Sequence, residues 1–375
     1  MRKILYLVTE DWFFLSHFLP MARLAQRAGF NVVVATNVND KAAAIAAEGF
    51  RLIPARSERG SLHVGGSLRE FFGLVRTIRD ENPDIVHCIA MRPVVLGGIA
   101  AKIARAKGLV LAPTGLGRLW MDVGLRAAIM RSVIRFVVGS WLRGPKTRYL
   151  FENDDDPREF GIDPAAPDVS VVGGAGVDPD AFPRTPEPPG SPLRVAVVAR
   201  MIRPKGIAEA VETLERARAR NVPVELHLFG APDASNKDAI PEATLRAWSS
   251  KPGIHWHGWS PDVARVWREH HVALLLTNYR EGLPRSLIEA AASGRPIVTT
   301  QTAGCRDLVR DGQEGFLVPP GDIDAAVDAL ARLAGDAGLR ARMGAAAHAR
   351  FQERFTEQAV TSKVAETYRA LAGTP

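Results

Sequence analysis

The sequence predicts an α/β protein of two doubly wound domains. Three observations carry that expectation. Short, continuous apolar runs alternate with helix-periodic segments through the first half. A proline- and glycine-rich stretch, 174–192, interrupts the alternation, which then restarts. Runs apolar at every residue, rather than at every second one, belong to strands covered on both faces, as in parallel sheets flanked by helices. A chain of 375 residues exceeds what one core usually serves and suits two such domains.

Taken in order, KILYLVT (3–9) reads as a buried strand, and LSHFLPMARLAQRAG (15–29) has helical periodicity and stops on a glycine. NVVVAT (31–36), PDIVHCI (83–89), GLVLAPT (108–114) and TRYLFEN (147–153) continue the strand series, with helical segments between. GAGVDPDAFPRTPEPPGSP (174–192) sustains neither a helix nor a central strand and reads as an interdomain linker. Strands resume with LRVAVVARM (193–201), VPVELHLFG (222–230), VALLLTN (272–278), RPIVTT (295–300) and GFLVPPG (315–321). The tail, 336–373, is helical in two segments. The expected domains are 1–185 and 190–357. Ligands of doubly wound sheets lie beyond the carboxyl ends of the strands, so a cleft between two such domains is the expected site.

Hydrophobic residues make up 46% of the chain and charged ones 24%, the balance of a folded soluble protein. The net charge of +7 points to nucleic acid, anionic lipid or a phosphorylated substrate, or to a solvated basic surface with no partner. Only two cysteines occur, Cys88 and Cys305, far apart. That argues against a disulfide framework or a cysteine zinc site and fits a reducing compartment. The first apolar run meets Glu10 and Asp11 and reads as a strand, not a signal peptide. No transmembrane helix is expected, because no run of about twenty apolar residues exists.

Two motifs could carry chemistry. In NYREGLPRSLIEAAASGRPIVTT (278–300), Glu281 falls in the loop after a strand, Pro284 suits a first helical turn, and Glu289 lies inside the helix. Amides at a helix start suit a phosphate or a sugar hydroxyl. The plainer alternative has Glu281 capping the helix and Glu289 solvated, but the small-residue face AAASG beside Glu289 packs closely, and a charge there is costly without a partner. In ARMIRPKGI (199–207), Arg200 follows a buried strand directly and Lys205 comes just before the next helix. Two cations so placed suit a diphosphate; an ordinary basic loop is the alternative.

These segments, with GCRDLVRDGQEGFLVPPGD (304–322) and the GVDPDAF linker, resemble the retaining glycosyltransferases of family 4, which have the GT-B fold. The family pattern of Arg, four residues, Lys, then Glu, seven residues, Glu falls on Arg200, Lys205, Glu281 and Glu289. The resemblance implies two Rossmann-like domains facing a cleft, with a C-terminal helix, 358–375, packing back on the first. It implies that Arg200 and Lys205 neutralise the donor diphosphate as the glycosidic bond breaks. Glu289 would accept hydrogen bonds from the ribose hydroxyls, and Glu281 would contact the donor sugar. Gly282, Leu283 and Arg285 would offer backbone amides to sugar and phosphate; Pro284 belongs to the same loop but has no amide hydrogen. The reaction so implied needs no metal and no cofactor beyond the nucleotide sugar, here expected to be uridine-linked.

The first domain would bind the acceptor. His17, in TEDWFFLSHFLP (9–20), the loop after the first strand and the start of its helix, could meet a hydroxyl or phosphate, or be a helix-start histidine satisfied locally; the loop departs from relatives that carry a glycine pair here. PTGLGRLW (113–120) resembles a loop of family members that extend lipid-linked sugars, which would bring Gly115, Gly117 and Arg118 to an acceptor phosphate; a plain tight turn is the alternative. The segment 124–148 joins an apolar face of Ile129, Val133, Phe136, Val137 and Trp141 to Arg126, Arg131, Arg135, Arg143, Lys146 and Arg148, with no acid. That pattern fits an anionic membrane surface, with Arg126, Arg131, Arg135, Trp141 and Arg143 in contact; solvated arginines over a core-facing helix are the alternative.

ENDDDP (152–157) resembles the Asp-x-Asp metal motif of other glycosyltransferases, but sits where acids cap a helix start. HWH (255–257) and the pair His270 and His271 lack convincing partners for a metal and read as a strand end and a helix end. The leading expectation is therefore a cytoplasmic enzyme, peripheral on the inner face of the plasma membrane. It would move a hexose or N-acetylhexosamine to a saccharide acceptor, expected to be lipid-diphosphate-linked, in bacterial surface polysaccharide assembly. A nucleotide-sugar 2-epimerase shares the architecture but would need carboxylates and histidines for proton transfer. A nucleic-acid binder would want basic stripes interleaved with aromatics, which are absent outside 124–148, so no nucleic acid is expected.

Overall fold

The computed structural model describes residues 2–55, 64–233 and 236–372. By its contacts the chain forms two units: Met1–Gly176 with Glu281–Leu283 and Glu357–Pro375, and Val177–Arg280 with Pro284–Thr356.

The first unit holds a parallel sheet of strands β1 (Arg2–Glu10), β2 (Phe30–Asn37), β3 (Arg51–Pro54), β4 (Ile85–Ile89), β5 (Leu109–Ala112), β6 (Thr147–Phe151) and β7 (Val169–Val171) in the order β3-β2-β1-β4-β5-β6-β7. Ile4 pairs with Val32 on one side and Ile85 on the other. The unbroken apolar character of β1 follows from burial on both faces. Ile4, Tyr6 and Val8 enter a core with Phe14, Phe18 and Met21, whereas Leu5 and Leu7 enter the opposite core with Val75 and Ile78. The C-terminal helix, Glu357–Ala372, buries Val360, Val364 and Tyr368 in the first of these cores. The Tyr368 hydroxyl lies 2.9 Å from that of Tyr6 and 2.8 Å from His87 Nδ1, so a buried polar chain fastens this helix to the sheet centre.

The second unit holds β8 (Leu193–Val198), β9 (Val224–Phe229), β10 (Ile254–Gly258), β11 (Val272–Leu275), β12 (Ile297–Thr300) and β13 (Gly315–Val318), parallel in the order β10-β9-β8-β11-β12-β13. No regular element occupies 174–192, but the stretch is anchored. Buried Arg295 donates from Nη2 to the Thr185 and Pro186 carbonyls at 3.0 and 2.9 Å, and from Nε to Trp267 O at 2.7 Å.

Three strands depart from the sequence reading. β3, β7 and β10 lie at sheet edges with half-exposed residues, so they lack the continuous apolar signature of the central strands. HWH is accordingly the body of β10 rather than a strand end.

Candidate active site

Each sheet reverses its winding direction once. In the second unit β8 and β11 are neighbours while the chain runs from β8 outward through β9 and β10, so the switch point falls between β8 and β11. Side chains beyond the carboxyl ends of strands at such a point meet ligands, because flanking loops part there. The two sequence motifs leave these two strands.

Arg200 stands two residues past β8 and donates from Nη1 to Asp233 Oδ2 at 2.8 Å. Lys205 closes a short helical turn, Arg203–Lys205. Gly206 then takes the left-handed conformation, φ 71°, and starts the helix Ile207–Ala219. A Cβ on Gly206 would strike the Leu276 carbonyl, so only glycine lets this loop lie against the end of β11. The Pro204 carbonyl accepts hydrogen bonds from Thr277 Oγ1 at 3.0 Å and from the Asn278 amide at 3.2 Å, and Asn278 Nδ2 reaches Glu209 at 3.1 Å. The structure thus fixes the cation loop to the strand end that leads into Glu281 and Glu289.

The helix Arg285–Ala292 begins at Pro284, which caps it from outside rather than filling its first turn, and no side chain caps it. First-turn amides of such a helix carry the positive end of its dipole. Leu287–Ala292 are all buried. Glu289 is among them, 7% exposed, and pairs with Arg285 Nε at 2.8 Å. Burial lifts the Glu289 carboxyl above the usual carboxylate range, and Arg285 pulls against that shift. The charge beside the small-residue face therefore has a partner one turn away.

Glu281–Leu283 belong by contact to the first unit. Gly115, at φ 103°, forms an isolated backbone bridge with Glu281. The Leu283 amide, expected to hold sugar or phosphate, instead donates to Glu152 Oε2 at 2.8 Å. A Cβ on Gly282 would collide with the same carboxylate. Burial pushes the Glu152 carboxyl up to about 7, with Asp156 and Glu281 adding repulsion and the Leu283 amide opposing. Glu152 lines a small pocket with Phe18, Met21, Ala112, Thr114, Leu150, Val172 and Gly174.

Sequence reasoning missed Glu152 by reading it as one acid among several in ENDDDP; its place directly after β6 was the available signal. Helix capping there also falls to a different residue. Asn153 Oδ1 accepts the Asp155 and Asp156 amides at 3.1 and 2.8 Å, and the acids do not cap.

The segment after β1 is helical from Asp11, four residues before the periodicity that begins at Leu15, because buried Asp11 accepts the Asn39 and Lys41 amides at 2.7 and 3.1 Å and anchors the turn. His17 lies inside this helical run, its Nδ1 2.7 Å from Ser16 Oγ and its ring on Phe13. Gly117 is left-handed at φ 69°; the Arg118 side chain lies outside the described residues.

The helix Leu125–Phe136 has no buried residue. Leu125 is 77% exposed, Ile129 55% and Phe136 63%, whereas Val137, expected on the same face, packs inward against the core. Three of its region's arginines are engaged within the protein. Arg131 donates to the Leu119 and Asp122 carbonyls at 2.9 and 2.7 Å, Arg135 pairs with Glu159 at 2.6 Å and Arg143 with Asp168 at 2.7 Å. Arg126 is exposed, and Trp141 lies under the Lys102 ammonium at 4.4 Å. No helix among the described residues is long and apolar enough to cross a membrane.

Comparison with known proteins agrees with this geometry. Residues 192–336 match the family described as glycosyl transferases group 1, and residues 3–138 that described as glycosyl transferase 4-like. An N,N'-diacetylbacillosaminyl-diphospho-undecaprenol alpha-1,3-N-acetylgalactosaminyltransferase of Campylobacter jejuni is 24% identical over 288 residues, 72% of each chain. The capsular polysaccharide biosynthesis glycosyltransferase CapM of Staphylococcus aureus is 26% identical over 174 residues, 46% of this chain and 45% of its own. Anabaena HepE, solved with UDP and glucose, shares the fold at a TM-score of 0.74 and 18% identity, over 98% of this chain and 99% of that one. The chain belongs to the family-4 glycosyltransferases of GT-B fold and is a hexosyltransferase.

Proposed function

We propose that the chain moves a hexose or N-acetylhexosamine, with retention, from a UDP-sugar to a saccharide carried on a lipid diphosphate, at the anionic inner face of the plasma membrane. The observation that carries this reading is the lock between the two loops at the β8/β11 switch point through the Pro204 carbonyl. It supports a donor site in which Arg200 and Lys205 meet the diphosphate, Glu289 the ribose and Glu281 the sugar.

A nucleoside diphosphate leaves poorly unless the charge growing on its β-phosphate is stabilised. Cations held by a rigid loop and the amides of a helix start do that without reorganising during the step. The acceptor hydroxyl attacks on the face the diphosphate leaves, and a β-phosphate oxygen takes its proton. Neither a metal nor a separate base is then required. HepE, bound to UDP and glucose, and the Campylobacter enzyme, named for a diphospho-undecaprenol acceptor, support the choice of donor and acceptor. The exposed apolar face of Leu125–Phe136 supports membrane contact.

The test is protection against thermal unfolding by UDP, GDP, ADP and uridine, since a ligand of the folded state raises the melting temperature by mass action. UDP should protect and uridine should not. Protection should vanish in Glu289→Ala and in the double variant Arg200→Ala, Lys205→Ala. Absence of protection by every nucleoside diphosphate would refute the donor site.

A further inference from the structure

The outer edge of the second sheet carries a cluster that sugar transfer does not use. β10 pairs with β9 so that His255 stands directly beside His227. Glu225 lies two residues before His227 and therefore on the same face. One ligand atom from each of Glu225, His227 and His255 can be chosen so that all three lie within 4.8 Å of one another. The expectation that the HWH histidines lack partners is thus not met: the neighbouring strand supplies two.

His227 decides the argument. Its Nδ1 is 3.1 Å from His257 Nε2, while its Nε2 is buried, has no hydrogen-bond partner and faces Glu225 Oε2 at 3.7 Å. Buried polar atoms are normally paired, and stacking does not satisfy a nitrogen in the ring plane. A proton on Nδ1, given to His257, leaves a lone pair on Nε2 aimed toward the carboxylate. That is the arrangement of a metal-ligating imidazole, whose other nitrogen donates to an outer partner. The rings of Phe229 and His270 wall the cluster, His270 standing edge-on to His227 at 4.6 Å with its own Nδ1 2.7 Å from the Val266 carbonyl.

We propose that Glu225, His227 and His255 bind a zinc-class divalent cation, with His257 orienting His227 from outside the coordination sphere. Two imidazoles and one carboxylate select borderline cations such as Zn(II) and Co(II) over Mg(II) and Ca(II). Ligand atoms of a tetrahedral zinc stand about 3.3 Å apart, so the cluster must draw in slightly; exposed His255 is the residue placed to move. Three protein ligands leave the fourth position to water. The ligands lie within β9 and β10, not on the loops at the β8/β11 switch point, so the cation would tie the edge strand to its neighbour rather than take part in transfer.

The test is calorimetric titration of the full, tag-free, metal-stripped chain with Zn(II), backed by Co(II) absorption as a reporter of tetrahedral nitrogen and oxygen ligation. The wild type should bind a single equivalent, and its melting temperature should rise. His255→Ala and Glu225→Gln should each weaken binding by about tenfold or more, and His257→Gln by about tenfold through the lost outer contact. Melting temperatures without metal show that the variants fold; both substituted ligands are at the surface. Protection by UDP should be the same in wild type and His255→Ala, which separates this site from the donor site. Absence of stoichiometric binding, or equal affinity in wild type and both ligand variants, would overturn the proposal.

Discussion

Glu152 accepts the amide hydrogen of Leu283 at 2.8 Å, across 131 residues of sequence. Its carboxyl is buried at the end of β6, and the same oxygen leaves no room for any side chain on Gly282. The loop between the two glutamates of the family pattern is therefore shaped by a third carboxyl group.

This carboxyl makes stability depend on pH. Its value in the fold, about 7, exceeds the ordinary 4.5, so folding favours the protonated form. The stability it contributes is complete below the ordinary value and is lost as the pH rises through about 7, on the order of 3 kcal/mol in all. Glu152→Gln keeps an acceptor for Leu283 without the charge. Its melting temperature should exceed that of the wild type at pH near 8, and the two should converge toward pH 5. Parallel curves across that range would show that Glu152 is not the titrating group.

Gly206 tests the lock between the two loops. Alanine there would have to hold a left-handed conformation and push its Cβ into the Leu276 carbonyl. Gly206→Ala should cost about 2–4 kcal/mol of stability and weaken nucleotide binding more than Gly321→Ala, also at positive φ but with open space around its Cβ. Denaturant unfolding and UDP titration of both variants measure the two effects; equal losses would mean strain alone, not the contact, matters.

The central strands and both motifs were legible in the sequence because each leaves a local mark. β1 and β4 are apolar at nearly every residue since each faces two cores, β11 is buried at every residue, and the spacing of Arg200, Lys205, Glu281 and Glu289 survives in one dimension. Edge strands leave no such mark. β10, with His255 and His257 exposed, looks like no more than a strand end until its partner is known. The role of Glu152 and the cluster of His227 with His255 were illegible for the same reason: both arise from pairings between segments distant in sequence. The Leu283 amide was assigned to a ligand because nothing local reveals that a carboxylate already holds it.

The Arg285–Glu289 pair predicts opposite consequences for its two members. Glu289→Gln removes a buried charge and the proposed ribose acceptor. It should leave stability nearly unchanged or improved while weakening UDP about tenfold, the worth of one hydrogen bond to a charged group. Arg285→Ala leaves Glu289 buried without its cation. Because Arg285 is 30% exposed, solvent screens part of that loss, and the expected cost is about 1–2 kcal/mol. Urea unfolding and calorimetric UDP titration separate the cases; Glu289→Gln binding UDP as tightly as wild type would remove Glu289 from the donor site.

The helix Leu125–Phe136 divides the membrane proposal into apolar and charged parts. Arg131, Arg135 and Arg143 hold carbonyls or carboxylates of the protein, so charge contributes less than the sequence suggests. Leu125, Ile129 and Phe136 are exposed, and so is Arg126. Each side chain fully buried in the interface contributes about 1.5 kcal/mol or more, against about 1 kcal/mol for a cation near an anionic surface. The triple variant Leu125→Ser, Ile129→Ser, Phe136→Ser should reduce sedimentation with phosphatidylserine-containing vesicles by more than about tenfold, whereas Arg126→Gln should reduce it only a few-fold and in a salt-dependent way. Protection by UDP should be unaffected in both, which confirms a folded donor unit. Unchanged vesicle binding in the triple variant would exclude this helix as the membrane contact; a larger loss in Arg126→Gln than in the triple variant would make the contact electrostatic.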